Sequence, residues 1–426
     1  MTSPVDPRDR PPGLRVVLDA RPIQDPRRAP ATARYLEGLL GAYAAEPLAG
    51  ESFAFLMQSD LADPTLDFAT LDVVGRRLLP PTRLLRSGAL TIDPFLLRGA
   101  AIGAAWRSER AGAAGAVYHA VAGAPPILSR IPIVVTLLDL APWELPETFQ
   151  RTPASRFGQR LRARLVREAA AVIVGTEAVA TLARRVLRLR RGRIRVVPLA
   201  PHPAFAIPPP DARHGSADQA AAADDRARLG LPERFLVYFG RFDARHDVPT
   251  LLRALAALED RARPRGLPMP VPWPPRVLIV GASPEDRAAL ARAATRLGGG
   301  EALIYAPAMS PERLASLVRE SRAVVMPARS DAAGLPALDA LAAGVPVVAA
   351  GVGALPDVVG PAGILVEPRD PARLAEALQT VWADERVHAG LVDAARIRMS
   401  SAGRSWSDVA WDTRRVYAEV GARREG

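Results

Sequence analysis

Two aspartates, Asp331 and Asp339, stand eight positions apart in "DAAGLPALD", with Gly334-Leu335-Pro336 between them. The apolar run "AVVMP" before them reads as a strand ending at Met326-Pro327, and a short loop follows. Pro336 at a first helical position and Gly344 just beyond the end bracket one short helix, with Asp339 on its first turns. Gly334 permits close backbone approach, and the amides of residues 334–336, less the proline's, form a positive helix start suited to phosphate. Asp331 lies too far ahead of the helix to be its N-cap. The plain alternatives are a carboxylate favoured by the helix dipole for Asp339 and an ordinary loop aspartate for Asp331.

Further candidates are spread along the chain. His119 follows "AVY" at a strand end and could meet a substrate or be structural. Asp139 closes another apolar run, where a ligand contact and an N-capping role both fit. Arg34, next to Tyr35, could face an acceptor or a phosphate or be a plain surface arginine on a helix. In "VGTE", Thr176 reads as an N-cap.

These residues need a scaffold, and 426 residues favour two domains, each large enough for its own core. Cysteine is absent, which removes disulfides, thiolate metal sites and thiol nucleophiles together. The five histidines show no HxxxH or HExxH spacing. The formal charge is +11, but all 56 basic residues are arginine and prolines number 42, a bias of composition rather than a nucleic-acid footprint. Aromatics at 5% are too few to form base-stacking platforms. Two basic stretches, 151–167 and 82–98, place Phe or Leu on one face of a helix and Arg on the other. That pattern suits peripheral contact with an anionic membrane surface, with a solvated helix face as the plainer alternative. No run of about 18 apolar residues occurs and the first residues lack a signal-peptide pattern, so the expectation is a cytoplasmic protein, at most peripheral at the inner face of the membrane.

Short continuous apolar runs alternate with helical patterns at 14–20, 131–140, 170–176, 194–200, 234–240, 276–282, 302–308, 323–329 and 345–351. Strands of this kind are buried on both faces, so the fold class is α/β, with doubly wound parallel sheets occurring twice. Hydrophobic periodicity vanishes over 208–227, which reads as a linker between domains 1–207 and 228–403. The segment 263–275 reads as a surface loop, and 404–426 holds a last amphipathic helix. Ligands are expected at the carboxyl ends of the strands, in a cleft faced by both domains.

The run from Asp331 to Leu378 resembles the donor-site signature of retaining GT-B glycosyltransferases of family 4, the group 1 type, with Asp331 and Asp339 in the two glutamate places of its E-x7-E pattern. "YFGRFDARHDVPTLLRAL" resembles the same family's strand-end segment, in which Arg241 keeps its place and His246 stands where lysine is usual. "VVLDARPIQDPRRAPATARYLEGLL" is similar to the family's first strand and glycine-rich loop, with Ala31, Thr32 and Ala33 in place of the glycines. Leu138 occupies the place of a donor-site histidine, and the Trp406 helix resembles one that crosses back to the first domain.

The resemblance implies two Rossmann-like domains, the first for the acceptor and the second for a nucleotide-diphosphate-sugar donor, with transfer in retention and no cofactor or metal. By that resemblance Asp331 and Arg241 are catalytic. Arg241, Arg245 and His246 neutralise the diphosphate, Gly334 and Leu335 hold it by their amides, Asp339 takes the ribose, and Ala308 and Met309 meet the base. Arg34, His119 and Asp139 fall on the acceptor side, facing a saccharide or lipid-linked partner. The departures at Leu138, His246 and the two shortened carboxylates define an alternative, a catalytically degenerate member that serves as a nucleotide-sugar-binding or scaffold partner. A specific nucleic-acid partner is not expected.

Overall fold

The structure, a computed structural model, describes residues 13–82, 89, 91–99, 115–121, 125–207 and 223–422. The chain divides into two compact units, residues 1–199 with 405–426, and residues 200–404.

Among the described residues of the first unit, seven strands are β1 (Arg15–Asp19), β2 (Ser52–Gln58), β3 (Val73–Leu79), β4 (Ala116–Val121), β5 (Ile133–Thr136), β6 (Ala171–Val174) and β7 (Ile194–Val196). They lie in the order β3-β2-β1-β4-β5-β6-β7, every pair parallel. β1, β4 and β6 are buried at every residue, as helices on both faces of a parallel sheet require. The apolar-run reading missed β2, β3 and β4. β3, at the sheet edge, exposes Arg76 and Arg77 and so lacks a continuous apolar signature.

Helix Trp406–Ala422 completes this unit by packing on helix Pro30–Ala45. A Cβ on Gly38 would lie 2.3 Å from the Trp406 indole, so glycine is what lets the ring sit flat against the helix. Arg414 clamps Glu51 through two hydrogen bonds of 2.9 and 2.6 Å, and both side chains are buried. Breaking such a pair by removing one partner typically costs about 3–5 kcal/mol.

Among its described residues the second unit has six parallel strands, β8 (Leu236–Phe239), β9 (Val277–Val280), β10 (Leu303–Ala306), β11 (Ala323–Met326), β12 (Val347–Ala350) and β13 (Gly363–Val366). Their order is β10-β9-β8-β11-β12-β13. The chain leaves β8 toward one edge, returns, and continues from β11 toward the other, so the loops after β8 and β11 part at the middle of the sheet. That point is where open α/β sheets bind ligands. β13 was not anticipated, because its four residues begin with glycine and are only half buried.

The division between the units falls at Leu199 and Ala200, ahead of the linker expected at 208–227. Residues 203–205 form a turn of 3-10 helix, and Arg319 donates to the carbonyls of Ala204 and, at 3.1 Å, Ala206. Residues 208–222 lie outside the described residues, whereas 223–229 are helical and tied down by Asp225 and Arg313 at 3.0 Å.

Helix Pro153–Glu168 forms where the basic stretch predicts one, started by a Thr152–Ser155 capping box. Its faces differ from the expectation. Phe157 is 58% exposed among Arg156, Arg160, Arg164 and Arg167, while Arg162 is buried with its guanidinium 4.7 Å from the Trp143 ring centre. In the second basic stretch, residues 91–99 are helical and expose Ile92 and Phe95, and 83–88 and 90 lie outside the described residues.

His119, read as an acceptor contact, is instead a core residue. It is fully buried, with Nε2 2.7 Å from Thr136 Oγ1 and Nδ1 2.7 Å from the Tyr417 hydroxyl, so both ring nitrogens are taken. Burial disfavours the imidazolium and depresses its pKa to about 3. An unfolded His titrates near ~6.5, so this residue's contribution is complete above that pH and is lost as pH falls toward 3, at about 1.4 kcal/mol per unit. Urea unfolding of the parent and of His119→Gln between those limits should show the parent losing stability more steeply with acid. Parallel pH profiles would contradict it.

Candidate functional site

The loop after β8 wraps around a residue that the sequence reading did not single out, Asp243. Its carboxylate accepts from Arg241 Nε at 3.0 Å, from Arg245 Nε at 3.1 Å and from the Arg245 amide at 3.2 Å, and lies 3.1 Å from His246 Nδ1. Three cationic or ionisable side chains expected at the phosphates therefore converge on one internal anion. Burial opposes ionisation of Asp243, but the His246 hydrogen bond and the charges of Arg245, His246 and Arg241 outweigh it and hold the carboxyl at about 2. The signal was present in "GRFDARHD", whose acid spaced between the basic residues is what lets a single turn draw them together.

Backbone bonds fix this loop. The Tyr238 hydroxyl donates to the Arg241 carbonyl, and the Arg245 carbonyl accepts from the amides of Arg329 at 2.6 Å and Ser330 at 3.3 Å. The second pair joins the β8 loop to the β11 loop across the switch point. Helix Val248–Glu259 then starts after Asp247, which adopts a left-handed conformation and accepts from Thr250 Oγ1 at 2.8 Å.

In the β11 loop, Asp331 turns back on its own chain. One carboxylate oxygen accepts from the amides of Ala333 at 3.0 Å and Gly334 at 2.7 Å. Its carbonyl accepts from the Ala354 amide at 2.7 Å. Gly334, at φ +64°, is the N-cap of helix Leu335–Ala342, with Pro336 in the second helical position and Gly344 past the end at φ +75°. The helix start is where the proline and glycine predict it. The Gly334 amide, expected to face phosphate, is engaged by Asp331. Asp339 is 1% exposed and accepts from the His202 amide at 2.9 Å, so in this conformation its carboxylate anchors segment 200–206.

Ala308 and Met309 follow β10, outside the join between the two loops, with Ala308 exposed and Met309 half-buried. In the first unit, Asp139 accepts from the Ala141 amide at 2.9 Å, one residue ahead of Leu140, the N-cap of the short helix Ala141–Glu144. Thr176 caps its helix through the Val179 amide at 3.2 Å. Arg34 is half-buried on helix Pro30–Ala45, and Leu138 is buried. At the carboxyl end of β1 a cluster that sequence reasoning missed joins Arg21 to Asp19 at 2.8 and 2.6 Å, to Asp93 at 3.1 Å and to Thr82 at 3.1 Å. Among the described residues no three His, Asp or Glu side chains gather as a metal set.

Similarity to known proteins follows this geometry. Over 96% of the chain and the whole of its counterpart, the fold matches sucrose-phosphate synthase from Thermosynechococcus elongatus with a TM-score of 0.70 at 20% identity. It matches Anabaena HepE in complex with UDP-glucose over 97% of this chain and 99% of that one, with a TM-score of 0.62 at 17% identity. Two Rossmann-like parallel-sheet units of this kind make the fold GT-B. Residues 222–405, which include both loops of the site, match the family described as "Glycosyl transferases group 1". D-inositol 3-phosphate glycosyltransferase of Streptomyces coelicolor is 36% identical over 228 residues, 51% of this chain and 46% of that protein. The chain spans about half the length of the curated relatives it matches.

The loop geometry depends on a missing side chain. A Cβ on Gly353 would lie 1.8 Å from the Asp331 carbonyl oxygen, and Gly353 stands at φ +55°. Gly353→Ala must therefore displace the Asp331 turn, costing at least about 1–3 kcal/mol from the backbone conformation alone. Thermal unfolding should show that loss. A Tm equal to the parent's would contradict the close approach.

Proposed function

We propose that the chain transfers a glycosyl group from a nucleotide-diphosphate-sugar donor to a hydroxyl of a saccharide, lipid-linked or small-molecule acceptor, with retention of configuration. The observation that carries this reading is the cluster of Arg241, Arg245 and His246 at the switch point, on a segment similar to group 1 glycosyltransferases. The anomeric carbon–oxygen bond to the diphosphate breaks with its electrons passing to the leaving oxygen. The acceptor oxygen bonds to the same carbon, and its proton leaves with the departing diphosphate. Growing negative charge on the leaving group is stabilised by preorganised cations, a role that arginine side chains can fill.

In this reading Arg241 and Arg245 meet the diphosphate, with His246 adding charge when protonated, and the helix start at Gly334 and Leu335 lies against it. Asp331 orients the donor sugar, and Asp339 holds the ribose. Ala308 and Met309 flank the base. The acceptor belongs to the first unit, with Arg34 beside it. A second reading, a member that binds nucleotide sugar without turning it over, draws on Asp331 being spent on its own loop amides and on Asp339 being buried.

Thermal shift with UDP, GDP, ADP and TDP, read together with donor hydrolysis, separates the two. Turnover with any donor excludes the second reading, and binding without turnover across donors excludes the first. Arg241→Ala should lose about 2–4 kcal/mol of transition-state stabilisation, seen as a fall of roughly 30-fold to 10³-fold in kcat. Undiminished transfer by that variant would remove Arg241 from the mechanism.

A further inference from the structure

Charge in the first unit is concentrated far from the carboxyl ends of its strands. Residues 184–195 hold seven arginines and no acid, against 56 basic and 45 acidic residues in the whole chain, so arginine-rich composition alone does not account for the run. Arg184 and Arg185 end helix Glu177–Leu187, where cations favour the helix dipole. Two others are used by the fold. Arg193 donates to the carbonyls of Arg167 and, at 3.2 Å, Ala169, and Arg195 pairs with Glu419 at 2.7 Å. The remaining five, Arg184, Arg185, Arg188, Arg190 and Arg191, are exposed and make no ion pair among the described residues.

A groove of mixed character adjoins them. Its volume is about 480 Å³, with Leu128, Ile131, Ile133, Leu165 and Val420 as its apolar part and Ser129, Glu168 and Arg193 as its polar part. Leu128 is 71% exposed and held at φ +50°, a conformation that a leucine adopts only at a cost in strain. Residues 128–132 precede β5, which Ile133 opens, and Arg190, Arg191 and Arg193 precede β7, so groove and arginines share the amino edge of the sheet. Arg167, exposed at the end of helix Pro153–Glu168, is joined to them through Arg193. The one exposed acid on that helix end, Glu168, is paired with Arg164 at 3.0 Å.

We propose that this edge, from Arg184 through Arg191 together with the Leu128 groove, seats on an anionic phospholipid bilayer. Charge complementarity supplies the attraction, and the groove beside it takes acyl carbon, which a nucleic acid or an acidic protein surface does not offer. The seat lies away from the carboxyl ends of the same strands, so docking leaves that edge of the unit open.

The test uses the full chain and sedimentation with vesicles of phosphatidylcholine and phosphatidylglycerol at about 7:3, against pure phosphatidylcholine, at about 0.1 M salt. Binding to the mixed vesicles should exceed binding to the neutral ones at least ~10-fold, and the triple variant Arg185→Gln, Arg190→Glu, Arg191→Glu should lose most of that difference. Leu128→Asn, which tolerates the left-handed backbone, should weaken vesicle binding about threefold or more while leaving retention on heparin unchanged. Equal partition into both vesicle types overturns the proposal, as does a triple variant of parental Tm that binds like the parent. So does duplex DNA that displaces the chain from vesicles at equal phosphate while Leu128→Asn has no effect, which would mark the edge as a polyanion surface. None of these readouts involves a nucleotide sugar, so the outcome stands apart from the activity proposed above.

Discussion

The Arg245 carbonyl, bonded to the amides of Arg329 and Ser330, is the contact on which the second unit's candidate site depends. It ties the loop after β8 to the loop after β11 where the sheet's winding reverses. With both loops fixed at their backbones, their side chains inherit defined positions. Asp243 then gathers Arg241, Arg245 and His246. Without an anion at their centre, the two guanidinium groups within one short loop would repel each other and spread into solvent.

The same economy of backbone governs the aspartates. Asp331 is too short to leave its loop easily, and it satisfies the Ala333 and Gly334 amides that the turn would otherwise strand. Gly353 allows the neighbouring chain to press against it from behind. Asp339 is buried and fastens segment 200–206 to the helix that carries it. Both carboxylates thus have structural work in this conformation, and the chemistry proposed for them requires the loop to yield part of it to a ligand.

Much of the fold was legible in the sequence, because parallel strands buried on both faces announce themselves as continuous apolar runs. Nine such runs fall on β1, β5 to β12 and their ends. β3 was hidden by the arginines of an edge strand, and β13 by its glycine and partial burial. Around the candidate site the helix was legible but the wiring of the loops was not. Pro336 and Gly344 set the helix, and Arg241 lies in the loop after β8, yet nothing in a spacing pattern reveals that Asp243 is the hub or that Asp331 folds back. His119 shows the converse limit, since it read as the end of a strand but lies inside β4, its side chain sealed between Thr136 and Tyr417.

Hydrogen exchange with mass spectrometry, run on the full chain with and without a saturating nucleoside diphosphate, bears most directly on the site assignment. The account predicts added protection in peptides covering 239–247 and 327–340, the two loops joined at Arg245. Protection confined to residues outside those two segments would contradict it.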